Sequence, residues 1–122
     1  MATCFASKTS SEAWLIDSGC THHMAYHESI FKELDKSYIS KVKIGNGDCI
    51  GVKGKGNVVI DYGSGTKIIY DVLYVPEINQ NLLSVGQLLE QNYSVVLKNR
   101  SCVIYDQNGG KLFLVKMSGK SF

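Results

Sequence analysis

The sequence predicts a mostly-β domain with one or two short helices. Three observations lead there. The apolar residues come in runs of strand length, such as Trp14-Leu15-Ile16, Val58-Val59-Ile60 and Tyr93–Leu97. Turn signals rich in glycine separate these runs: Gly45-Asn46-Gly47, Gly63-Ser64-Gly65 and Asn108-Gly109. Only short segments carry apolar residues at helical spacing. A chain of 122 residues makes one domain with a modest core.

Taken in order, residues 1–11 are small and polar and read as a flexible leader. Ala13–Ile16 is the first strand of the core. Tyr26–Leu34 reads as a short helix, because Ile30, Phe31 and Leu34 fall on one helical face. Ile39, Val42 and Ile44 then run up to Gly45-Asn46-Gly47, and Ile50 and Val52 lead away from it. This is a strong hairpin pattern over Lys43–Lys53. Val58–Ile60 follows as a strand and turns at Gly63-Ser64-Gly65. Ile68–Val75 is the next strand, ended by Pro76, which cannot donate to a ladder. Ser84–Gln91 reads as a second short helix with Ser84 as its candidate cap. Tyr93–Leu97 and Cys102–Tyr105 are strands, and Lys111–Val115 pairs back across Asn108-Gly109. The domain therefore spans residues 12–116, with 102–116 a candidate additional C-terminal hairpin and 117–122 a tail.

Composition excludes several classes. No apolar run approaches the length of a membrane span, and Met1–Ser10 contains no apolar stretch long enough for a signal peptide. A net charge of +2 makes no case for direct nucleic-acid binding. Lys41, Lys43, Lys53 and Lys55 flank the hairpin and read as solvated strand faces, the second reading being attraction of acidic peptide or packaged RNA. The four cysteines, at positions 4, 20, 49 and 102, have no CxxC spacing. With nothing pointing to secretion, free thiols and a cytoplasmic location are expected.

Trp14-Leu15-Ile16-Asp17-Ser18-Gly19 carries the chemistry. A buried strand delivers a carboxylate to its end, which is costly without a partner. Gly19 permits a sharp turn, and the Ser18 hydroxyl can bond a neighbouring acid. Two such loops can bring two carboxylates together to share a proton and activate a water. The bland alternative is an ordinary Asx turn. Nearby, Cys20, His22, His23 and His27 have spacing that a zinc ion could use. No second cluster completes a ligand set, so no metal is expected. A Cys20–His nucleophilic pair lacks an orienting partner. The histidines are expected as polar residues, partly buried or exposed, on the strand after the loop.

Trp14–Met24 resembles the active-site segment of the copia-type LTR retrotransposon proteases, within the retropepsins. Asn81-Leu82-Leu83-Ser84-Val85-Gly86-Gln87-Leu88 resembles their second signature, and Asp71–Pro76 fits between the two. The resemblance covers roughly residues 12–116. It implies a single-lobe acid protease fold with a flap hairpin. It makes Asp17 the catalytic carboxylate, with Ser18 bonding across to a partner loop and Gly19 leaving room for close approach. Ile44, Gly45, Asn46, Gly47 and Ile50 become flap residues over the substrate. Val85 and Gly86 become the apolar-Gly element beneath the active-site loop. One chain holds one Asp-Ser-Gly, so the second carboxylate must come from a second copy. The implied activity is an aspartic endopeptidase that processes a Gag-Pol polyprotein as a homodimer in cytoplasmic virus-like particles. Its nucleophile is water, and no cofactor is implied. The alternative is a domesticated or decayed copy that serves as a non-catalytic dimerisation or peptide-binding module. The sequence departs from the retropepsin pattern twice: Gln87 stands where an Arg is common, and the chain runs on well past the helix.

Overall fold

The computed structural model describes residues 3–6, 14–17, 19–43, 47–61, 65–98 and 101–117. The described residues form twelve strands and one α-helix: β1 Thr3–Ala6, β2 Trp14–Asp17, β3 Met24–Ala25, β4 Phe31–Asp35, β5 Ser40–Lys43, β6 Cys49–Val52, β7 Gly54–Asp61, β8 Thr66–Tyr74, β9 Asn81–Ser84, α1 Val85–Glu90, β10 Ser94–Lys98, β11 Ser101–Tyr105 and β12 Lys111–Met117. The protein is mostly β, as expected. Ten strands form one sheet in the order β10-β11-β12-β1-β2-β9-β3-β8-β7-β4, and β5 pairs with β6 in a separate hairpin.

The centre of the large sheet is its distinctive part. β2 runs parallel to β9, with Asp17 opposite Ser84. β3 runs antiparallel to β9 and parallel to β8. Parallel neighbours need crossover connections rather than tight turns. The segments after Asp17 and before Asn81 supply them. Both strand ends that matter for chemistry, Asp17 and Ser84, therefore finish at the same edge of the fold.

Two apolar clusters hold this arrangement. The larger joins Trp14, Ile16, Val58, Ile60, Ile69, Leu83, Leu88, Tyr93 and Ile104, all buried. It draws residues from both ends of the sheet, so the curled sheet closes on a shared interior. The smaller joins Met24, Val42, Val52, Leu73 and Val75, with Cys20, Ile50, Ile78 and Leu82 packed against it. Val42 and Val52 anchor the base of the β5–β6 hairpin there. Lys53 extends the anchorage by donating its backbone N–H to the Tyr74 carbonyl at 2.8 Å.

The structure corrects four expectations. Tyr26–Leu34 is not a helix. Glu28–Ile30 forms a single 3-10 turn capped by His27, and Phe31–Asp35 is strand β4. The cause is a register shift in the pairing of β4 with β7, between Phe31 and Glu33. That bulge turns Phe31 and Leu34 to the same side, a three-residue spacing that imitates a helix. Second, Thr3–Ala6 is not a loose leader: β1 pairs with β2 on one side and β12 on the other. Third, Cys102 is disulfide-bonded, whereas Cys20 and Cys49 are free thiols. Fourth, the histidines do not lie together on a strand. His23 immediately precedes β3, and His27 caps the 3-10 turn.

α1 shows why its expected limits were close. Ser84 caps it, accepting the Gln87 backbone N–H at 3.1 Å. At the other end Asn92 takes φ +69°. Its N–H bonds the Leu89 carbonyl, and the Tyr93 N–H bonds the Leu88 carbonyl. This is a Schellman closure, with Asn in the left-handed position where Gly is commoner.

Candidate active site around Asp17

Asp17 ends β2 with its side chain half-buried. Each carboxylate oxygen receives a donor from the turn that follows. The Gly19 backbone N–H donates to Oδ1 at 2.7 Å. The Cys20 thiol donates to Oδ2 at 3.2 Å. The short turn bond fixes the carboxylate relative to the backbone, and the thiol fixes its rotation. Burial, reinforced by the hydrogen bond to Asp17 and its charge, pushes the Cys20 thiol up to about 12. It therefore stays protonated and serves as a donor, not a nucleophile. Ser18 lies outside the described residues.

The turn is held from below by β9 and α1. Ser84 Oγ donates to the Cys20 carbonyl at 2.8 Å, and the same oxygen accepts from Gln87 N. Gln87 is buried and uses both ends of its amide. Its Oε1 accepts the His23 backbone N–H at 2.7 Å, and its Nε2 donates to the Asp71 carbonyl at 2.8 Å. Asp71 can offer that carbonyl because it sits at φ +61°. The β7–β8 register shifts between Gly56 and Val58, opposite that part of β8. Gln87 thus ties three segments together, where an Arg would have had only donors to offer.

His23 completes the support. It is fully buried. Its Nδ1 accepts the Ser84 backbone N–H at 2.9 Å, so the ring proton sits on Nε2, which bonds Gln91 Oε1 at 2.9 Å. Gln91 is itself oriented by donating to the Tyr70 carbonyl. Burial pushes the imidazole down to about 4, against a smaller opposing effect from the Gln91 bond. His22 and His27 point elsewhere: both are exposed, with Nδ1 bonded to Thr21 and Ser29 respectively. Among the described residues no three His, Cys, Asp or Glu side chains come together as a metal site.

The other expected site residues divide. Ile44, Gly45 and Asn46 lie outside the described residues. Gly47 is exposed at the hairpin end with φ +92°. Ile50, on β6, lines a groove of about 360 Å³ with Ile78, Leu82, Glu77, Asn79 and Gln80. Ile50, Ile78 and Leu82 pack against the same cluster as Cys20. The groove therefore shares its apolar floor with the residue that holds Asp17. Val85 packs against the larger core. Gly86 is exposed, and the nearest atom that an added Cβ would meet is Ser84 Oγ at 3.8 Å. A second depression of about 430 Å³, between Glu33, Asp35, Tyr38, Lys55, Asn57 and Asp71, does not include Asp17.

Sequence reasoning missed Ser84, His23 and Gln91 as supports of the site. His23 was visible only as one of three clustered histidines. Its distinguishing sign is its place directly before the buried Met24-Ala25 pair. No helix among the described residues is long and apolar enough to cross a membrane.

Comparison with known proteins agrees with the mostly-β architecture. Residues 14–93 match the family described as Pol polyprotein, beta-barrel domain. A putative transposon Ty5-1 protein of Saccharomyces cerevisiae is 40% identical over 77 residues, covering 63% of this chain and 50% of that protein. The Pol polyprotein from transposon RE1 of Arabidopsis thaliana is 34% identical over 109 residues, covering 85% of this chain. The chain spans half the length of the first and 7% of the second. The matched family segment begins on β2 and ends just after α1, so it contains Asp17 and every residue that braces it. The chain belongs to the β-barrel domain family of retrotransposon Pol polyproteins.

Proposed function

We propose that this domain is an aspartic endopeptidase of the retropepsin type, which cuts its own Pol polyprotein as a symmetric pair of chains. The observation that carries the reading is the setting of Asp17: a carboxylate at the end of a core strand, with a donor on each oxygen. A turn Asp that merely closes a loop does not need a half-buried site braced by Ser84, Gln87 and His23. The β5–β6 hairpin is the flap, and the groove between Ile50, Ile78 and Leu82 takes an apolar substrate side chain.

The reaction needs two carboxylates and one proton. One carboxylate takes a proton from water as the water attacks the scissile carbonyl. The other, protonated, polarises that carbonyl and then hands its proton on as the amine leaves. Asp17 supplies one group per chain, so the site is complete only between two copies. Ser18, Gly45 and Asn46 keep the roles that the resemblance gives them. The Arabidopsis thaliana relative is named as a Pol polyprotein from a transposon, which supports a polyprotein as the substrate and a virus-like particle as the place of action.

The test is co-expression of the domain with its polyprotein, with and without Asp17→Asn, read by fragment size. Asp17-dependent fragments support the protease. Uncut polyprotein in both samples would favour a non-catalytic dimerisation or peptide-binding module.

A further inference from the structure

We propose that Cys20 is a positioning residue for the catalytic carboxylate: its thiol, donating to Asp17 Oδ2, sets the rotation of that carboxylate in the site. The inference deepens the protease reading and rests on it for its kinetic part.

Three observations carry it. Gly19 N–H binds Oδ1 only, so it leaves the carboxylate free to tilt about that contact. The Cys20 thiol occupies the remaining oxygen at 3.2 Å. The Cys20 backbone is itself fixed, because Ser84 Oγ holds its carbonyl at 2.8 Å. The donor therefore hangs from a rigid point rather than a loose turn. A thiol also fits this place chemically. It is half-buried and packed against an apolar cluster, where a small, weakly polar donor loses little on leaving water. It has a single proton to give, and a neighbouring carboxylate keeps that proton in place. The bond is weak enough to let Oδ2 take part in proton exchange during turnover. For catalysis, fixing the orientation counts more than binding strength, because small misplacements of a reacting group lower the rate steeply.

Two measurements test this, one of which needs no activity. The first is the rate of iodoacetamide alkylation at pH 8, without reductant, mapped by mass spectrometry. Cys49 is exposed and free, and serves as the internal standard. In the wild type Cys20 reacts much more slowly than Cys49. In Asp17→Asn the Cys20 rate rises roughly three- to tenfold, since the charge that opposes thiolate formation is gone. Equal Cys20 rates in both proteins would overturn the proposal. The second is cleavage of a polyprotein-junction peptide by Cys20→Ala and Cys20→Ser. Cys20→Ala lowers kcat roughly three- to tenfold with little change in KM. Cys20→Ser keeps a donor and restores most of the rate. An unchanged kcat in Cys20→Ala, or a Cys20→Ser as slow as Cys20→Ala, would overturn the positioning role. If the wild type shows no Asp17-dependent cleavage at all, the protease reading fails, and the positioning role fails with it. The alkylation result then stands by itself as proof or disproof of the thiol–carboxylate contact.

Discussion

The backbone N–H of Ser84 donates to Nδ1 of His23 over 2.9 Å, joining the end of one core strand to the turn that follows the other. This bond requires a neutral imidazole. Protonation would place a hydrogen on Nδ1 against the Ser84 N–H, two donors face to face inside the core. His23 binds its proton only near pH 4 when folded and near 6.5 as an unperturbed group. Between those values the unfolded chain carries more bound proton, so stability falls as pH falls through that window. The full effect is about 3 kcal/mol and is complete below the folded value. Denaturant midpoints measured from pH 7 to pH 4 should drop accordingly. His23→Leu should be less stable at pH 7 and show a flatter profile. A wild-type profile that is flat over this range would contradict the assignment.

Gln87 is the second prediction. The retropepsin pattern would place Arg here, and Arg is the stronger partner where it meets a carboxylate. In this protein the position needs an acceptor for the His23 N–H as well as a donor for the Asp71 carbonyl. Gln87→Arg should therefore destabilise the domain by about 1–3 kcal/mol, the cost of leaving a buried N–H unpaired. Thermal melts of the two proteins at pH 7 decide it. A higher Tm in the Arg variant would show that the network can be rebuilt around a guanidinium.

Gly56 separates close packing from mere flexibility. A Cβ at Gly56 would stand 1.9 Å from the Glu33 carbonyl oxygen, because the β4 backbone comes close where Gly56 pairs with Leu34 next to the register shift. At Gly51, on the hairpin, the nearest atom would be Lys53 Cε at 3.7 Å. Gly56→Ala should cost about 1–3 kcal/mol or prevent folding. Gly51→Ala should stay within about 0.5 kcal/mol of the parent. Equal midpoints for the two variants would refute the close approach.

These residues also show what could be read from the sequence. The strands around Val58–Ile60, Ile68–Tyr74, Val95–Leu97 and Cys102–Tyr105 were legible because their apolar runs are of strand length and Gly or Pro punctuates most of them, whereas β9, four residues that run straight into the helical pattern, was not read as a strand. The Ser84 cap was legible because a hydroxyl residue precedes an apolar helical pattern. Asp17 stood out because a carboxylate follows three apolar residues. The β4 segment was misread because a bulge gave Phe31 and Leu34 a helical spacing. β1 was missed because its partners, β2 and β12, lie far away in the chain, and a short strand of modest propensity takes its structure from them. The bracing role of Gln87 and His23 could not be read, since it depends on which backbone groups three distant segments leave unpaired.

Gly47 tests the hairpin as a moving part. Its φ of +92° is open to glycine and strongly resisted by a β-branched side chain. Among the described residues no atom lies within 4 Å of an added Cβ, so strain is local to the turn. Gly47→Val should slow cleavage of a junction peptide several-fold, while a thermal melt shifts little, because Val42 and Val52 still anchor the hairpin base. Full turnover in this variant would argue that the hairpin does not close over substrate.

The last prediction concerns pairing. On the proposed mechanism one chain offers one catalytic carboxylate, so specific activity should fall on dilution, and the rate should rise more steeply than linearly with concentration. The fold gives a reason to expect a weak pair. In a retropepsin the terminal strands usually join the two chains. Here β1 is already flanked by β2 and β12 of its own chain. Among the described residues the outer strands of the large sheet are β10 and β4 instead. On the proposed mechanism the partners meet at the loops around Asp17, and tethering inside a polyprotein would raise their local concentration. Excess Asp17→Asn chain should inhibit the wild type, since a mixed pair holds one carboxylate. With a ninefold excess, random pairing leaves nearly all wild-type chains in mixed pairs, so activity should drop roughly tenfold at concentrations where pairs form. Sedimentation over the same dilution range should show the pair dissociating as activity is lost. Constant specific activity on dilution, with no interference from the Asn chain, would mean that a single chain holds the whole catalytic apparatus, and the shared-carboxylate mechanism would have to be abandoned.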